Sequence, residues 1–126
     1  RITAIDMNTG EHAWVIPTGE TPDRVQEVIN ENNLDIPNTG AGALVPMVVT
    51  PSMLVYAGNK GDGSPMLYAI DKASGETISS IEVPERSRYG MSSWTHEGHQ
   101  YIMLQTGPKL TAIAMPAAKP ADAGYH

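Results

Sequence analysis

The chain has 126 residues, fourteen acidic and eight basic side chains for a formal charge of −6, 40% hydrophobic residues, twelve glycines, ten prolines and no cysteine. Its length is about that of one domain. The missing cysteines exclude disulfides and thiolate zinc sites, the acidic balance argues against a nucleic-acid partner, and no stretch reaches the ~20 apolar residues of a membrane-spanning helix.

The first six residues, "RITAID", alternate with a period of two, which predicts a strand over 1–6. Arg1 is not an initiator Met and enters that strand directly, so the chain is expected to be a processed or cut fragment; the lack of a visible targeting segment then says little. "MNTG" supplies Asn8 and Gly10 for a reversal, since Gly adopts positive φ at little cost. "EHAWVIP" predicts the returning strand, 11–16, stopped by Pro17 and Gly19. In the following segment Thr21 can cap and Pro22 suits a first helical position. Val25, Val28 and Ile29 share a helical face, so a short helix is expected from Pro22 to Asn32.

Seven further strands are predicted by alternation between Gly, Pro and Asn breaks: 44–50, 53–58, 66–71, 77–83, 90–95, 100–105 and 109–114. The segment "AIDMNTGEHAW" at 4–14 recurs as "AIDKASGETIS" at 69–79, and "LTAIA" begins a third copy without the turn. Ala69 and Ala112 lie 43 residues apart, within the range of a four-stranded propeller blade. Ala4 and Ala69 are 65 apart, and the 22-residue excess matches the helical insertion. The expected fold is all-β: antiparallel four-stranded blades, one complete at about 43–84 and two partial, with one inserted helix. A partial propeller domain would then occupy 1–116, and the Ala- and Pro-rich 117–126 are expected to be a disordered tail.

The pattern Ala4, Asp6, Thr9, Gly10, Trp14 resembles the tryptophan-docking motif of pyrroloquinoline quinone (PQQ) dehydrogenases. "ITAIDMNTGEHAWVIPTG", "IPNTGAGALVPMVVTPSMLVYAGN", "LYAIDKASGE" and "GHQYIMLQTG" follow in order like the C-terminal part of membrane-bound, glucose-dehydrogenase-like members of that quinoprotein family. The resemblance implies a β-propeller of about eight blades, calcium beside PQQ, alcohol or sugar oxidation as an oxidoreductase in the periplasm, and electrons passed to ubiquinone. It also implies that Trp14 packs flat between neighbouring blades. Two departures stand out. Ser79 occupies the place of a second docking Trp, and "QTGPKL" is shorter than the family's Gly-rich loop near the cofactor. The family's catalytic Asp and most calcium and quinone ligands have no counterpart here, so the chain alone is expected to bind neither PQQ nor calcium.

Asp6 and Asp71 could form a proton-transferring pair, but each precedes a turn where Asp accepts backbone N–H groups, which is the preferred reading. Trp14 could be a stacking platform, though inter-blade packing is preferred. His12, His96 and His99 are candidate metal ligands that read more simply as solvated turn residues, and "GNKGDGSP" lacks the spacing of calcium or phosphate loops. The seven Met residues are expected mainly to fill core. "RSRYGMSSWT" leads into an innermost strand near a propeller axis, so Arg88, Ser92 and the strand-end Gln105 are the candidates to face a cofactor.

Three functions remain open from the residues: the C-terminal segment of a PQQ-dependent alcohol or sugar dehydrogenase, mainly structural; a cofactor-free propeller segment that binds proteins as a scaffold; and a stand-alone β protein. Expected partners are the remaining blades of a parent chain, or further copies through open sheet edges.

Overall fold

The computed structural model describes residues 1–41, 45–87 and 90–114. Among the described residues, nine strands and one helix follow in chain order: β1 (Ile2–Ile5), β2 (His12–Ile16), α1 (Asp23–Glu31), β3 (Met47–Val49), β4 (Met53–Asn59), β5 (Pro65–Asp71), β6 (Thr77–Glu82), β7 (Met91–His96), β8 (His99–Thr106) and β9 (Lys109–Ala114). They form a two-stranded sheet β1-β2, a four-stranded sheet β3-β4-β5-β6 and a three-stranded sheet β7-β8-β9. Every pairing is antiparallel and sequential. The all-β reading with one whole and two partial blades therefore holds. Of the predicted strands, β3 differs most: it spans only Met47–Val49, and residue 44 lies outside the described residues, as does the expected tail. No helix among the described residues is long and apolar enough to cross a membrane.

The second sheet sits between the other two because both its faces are apolar, as strand alternation allows. Leu54, Tyr56, Met66, Tyr68 and Ile70 face the first sheet, where Ile2, Trp14 and Ile16 meet them. Val55, Ala57, Leu67 and Ala69 take the other side and pack, with Val83, against Ile102 and Leu104 of the third sheet. Of the methionines expected to fill core, Met66 does so, but Met7 is almost fully exposed on the β1–β2 turn and Met47 is exposed on β3.

The inserted helix is one residue shorter at each end than expected. Pro22, not Thr21, occupies the cap position, and no side chain caps the helix. Thr21 is buried and tied elsewhere: its hydroxyl donates to Asn38 Oδ1 (3.0 Å) and accepts from the Thr39 N–H (2.9 Å). The need to pin the returning segment outcompetes the local cap. Ile29 is buried, but Val28 is exposed, so the apolar face is narrower than the periodicity suggests.

Tyr56 and Tyr68 stack between the first and second sheets with centroids 5.0 Å apart. The Tyr56 hydroxyl accepts from the Gly19 N–H (3.1 Å), and Tyr68 donates to the Asn59 carbonyl (3.3 Å). Burial, then the nearby Glu20 charge and Tyr56, push the Tyr68 phenol up to about 12. Burial also raises Tyr56. In the unfolded chain a tyrosine ionises near ~10, so the fold favours protonated Tyr68. Its contribution to stability is fully present below ~pH 10 and is lost as pH rises through about 12. Thermal melts across that window should show a falling midpoint that Tyr68→Phe flattens. A Tyr68 phenolate band appearing near ~pH 10 in the native protein would contradict the burial.

Candidate functional site

Two places combine the residues that the sequence singles out. The first is the contact between the first and second sheets. The β1–β2 and β5–β6 turns are built alike. The Asp6 N–H donates to Glu11 O and the Gly10 N–H to Asp6 O, at 2.8 and 2.7 Å; Asp71 to Glu76 O and Gly75 to Asp71 O repeat this at 2.8 and 2.9 Å. Each Asp carboxylate accepts from the residue two further on, Asn8 or Ala73, at 2.8 Å in both turns. Thr9 and Ser74 hydroxyls accept from the Glu11 and Glu76 N–H groups, both at 3.2 Å. Each hairpin carries a register shift at the same place, Ala4/Ile5 and Ala69/Ile70. The N–H groups of Ser74 and Ala73 hold the Asp71 carboxyl below the usual carboxylate range. Both aspartates are thus occupied as turn acceptors.

Ala4 pairs with Trp14 across the first hairpin, so the indole leaves the sheet on the face toward the second. Its Nε1 donates to the Lys72 carbonyl at 3.0 Å. Its ring lies on Gly75: a Cβ there would meet Trp14 Cδ2 and Cγ at 2.8 and 2.9 Å. Gly75 also holds φ +78°, so absence of a side chain serves both turn and ring. Trp14 is mostly but not fully buried, packed on the second-sheet cluster and on the Lys72–Gly75 turn. Trp14→Ala should therefore cost about 2 kcal/mol, below the range for fully buried aromatics. Urea denaturation followed by circular dichroism checks this.

The second place is a cleft of about 760 Å³ between the ends of the second and third sheets, lined by Asn59, Pro84, Glu85, Arg86, Gln105 and Gly107 among others. It forms where the β4–β5 loop, the β6–β7 linker and the β8–β9 turn converge. Gln105 Nε2 donates to Gly107 O (3.1 Å) and Asn59 Nδ2 to Gly63 O (3.0 Å), so both amides brace their own loops. The Glu85 carboxylate abuts Gly107, where a Cβ would collide with it. The volume suits a small-molecule ligand.

Of the candidate cofactor residues, Gln105 lines this cleft, while Ser92 does not: it is exposed and pairs with Met103 on the third sheet's outer face. Arg88 lies outside the described residues. Asn59, Glu85 and Arg86 were not anticipated; the only signal was the charged pair after Pro84. His96 sits 3.8 Å from Glu97 at an exposed turn, and His12 is exposed on β2. Asp62 closes its own loop on Ser64, whose hydroxyl first and N–H (2.8 Å) second hold its carboxyl below the usual carboxylate range.

Calcium takes roughly six to eight oxygen ligands. The cleft brings one carboxylate, Glu85, and no three His, Asp or Glu side chains converge among the described residues. Arg86 could meet a carboxylate of a quinone. With a single carboxylate and both amides bonded to their own loops, the described lining does not make a calcium site, and no catalytic step is assigned to these residues.

No curated protein and no solved structure matches the chain significantly. A family model described as "PQQ: Glucose/ethanol/alcohol dehydrogenase, beta-propeller domain" matches residues 1–102. With the three stacked antiparallel sheets and the repeated turn, that match places the chain in the PQQ-type dehydrogenase β-propeller family.

Proposed function

We propose that the chain is a C-terminal propeller segment of a periplasmic, membrane-bound, glucose-dehydrogenase-like enzyme that oxidises sugars or alcohols with PQQ and calcium and passes electrons to ubiquinone. Its role is mainly structural: it continues the ring and walls one side of the cofactor pocket. The observation that carries this reading is the cleft where Arg86 and Gln105 meet between two sheets of a PQQ-family propeller. The catalytic Asp and most calcium ligands come from other repeats. Trp14 on Gly75 acts as the docking contact between blades, with Ala4, Asp6, Thr9 and Gly10 shaping the repeat.

On this reading the purified chain neither binds PQQ tightly nor turns over sugars. Calorimetric titration with PQQ and calcium, followed by a dye-linked assay over sugars and alcohols, tests it. Micromolar binding with turnover would overturn the structural role. The second reading, a cofactor-free protein-binding scaffold, draws on Ser79. It pairs with Ala69 on the exposed outer strand, so no indole from the second sheet reaches the third. Extending the reading frame upstream separates the two: calcium-ligand acids favour the enzyme, repeats without them the scaffold.

A further inference from the structure

The β4–β5 loop has two sides. Asn59, Gly63 and Pro65 line the cleft between the second and third sheets. Gly61, between them, meets the stem of the helical insertion instead. Three hydrogen bonds join stem and loop. The Glu20 N–H donates to the Asn59 carbonyl (3.0 Å) and the Asp23 N–H to the Gly61 carbonyl (2.8 Å). The Gly61 N–H donates back to Glu20 Oε2 (3.3 Å). The two backbones also approach too closely for side chains. A Cβ on Gly19 would meet the Asn59 carbonyl oxygen at 2.6 Å. One on Gly61 would meet the Thr21 carbonyl oxygen at 2.9 Å and collide with the Asp23 carboxylate.

The stem is itself a closed unit. Asn38 Nδ2 donates to the Gly19 carbonyl (2.8 Å), the Ala41 N–H to the Thr18 carbonyl (2.9 Å), and the Thr21 hydroxyl to Asn38 Oδ1 (3.0 Å). Both ends of the insertion are thus tied together where they meet the loop. The loop needs such support, because Gly61 and Gly63 give its backbone wide conformational freedom. Its own bonds, Lys60 N–H to Ser64 O and Gly63 N–H to Lys60 O (both 2.9 Å), fix the shape of the tip and not its angle to the cleft.

We propose that the insertion is a strap that sets this wall of the cleft, with Glu20 and Asp23 as positioning residues that do not line the cleft themselves. Releasing the stem frees Asn59 and Gly63 to shift and changes the width of the cleft. The inference concerns the shape of the cleft and not its ligand, so it stands apart from the quinone reading.

Gly61→Ala is the first test. Gly61 is not in the left-handed region, so the added methyl strains the stem contact rather than the loop. Asp23→Pro is the second: it deletes the donated N–H at a first helical position that suits proline, and the extended ψ of Pro22 accepts a following proline. Native-state hydrogen exchange read by NMR compares the loop with the core. In both variants the Lys60 and Gly63 amides should exchange about tenfold faster or more, well beyond any change at the Val55 and Ile70 amides of the central strands. The Asn59 side-chain amide resonances should move as well. Loop amides that keep their rates in both variants, or that quicken only in step with the core, would overturn the proposal.

Discussion

Ile70→Ala is expected to cost about 3–4 kcal/mol of stability, the largest effect of any single substitution considered. Ile70 is completely buried on the second-sheet face that meets the first, beside Leu54, with which it pairs on β4. Removing three carbons leaves a void between two sheets whose backbones are fixed by their ladders, so the site collapses poorly. The denaturant midpoint should fall with little change in slope. A loss under about 1 kcal/mol would mean that the first sheet does not press on this face.

Gly75→Ala is expected to cost about 3 kcal/mol. About 1 kcal/mol is the penalty for an L side chain at positive φ. The remainder is displacement of the Trp14 ring, which the new methyl would meet at 2.8 Å. Gly10 provides an internal control: it has φ +75° in a turn of the same hydrogen-bonding pattern, but nothing lies within 4 Å of its Cβ position. Gly10→Ala should therefore cost only about 1 kcal/mol. In a Trp14→Ala background the Gly75→Ala cost should fall to about the same value. Equal costs at Gly10 and Gly75 in the unmodified chain would show that the ring contact contributes nothing.

The repeat was legible because it is local. Asp, Thr or Ser, and Gly at fixed offsets specify a turn through hydrogen bonds that span two to five residues, and alternation specifies the flanking strands. The same logic failed where a distant segment decided the outcome. Thr21 reads as a cap until Asn38 and Thr39 claim its hydroxyl. Val28 fits the helical stripe but has no surface to meet. The cleft was half visible: Gln105 stood out as a strand end, but its neighbours Glu85 and Arg86 are brought to it by a linker whose path periodicity does not encode.

The bond from Trp14 to Lys72 joins residues 58 apart, and α1 lies inside the loop that it closes. The entropy of closing a flexible loop rises only with the logarithm of its length. Deleting the 22-residue excess would shorten that separation by over a third yet recover only about 0.4 kcal/mol. The chain entropy of the insertion is therefore a minor term, and what α1 contributes is set by its contacts: the buried Ile29, the Asp23 N–H bond to the Gly61 carbonyl, and the Thr21 hydroxyl held by Asn38 and Thr39.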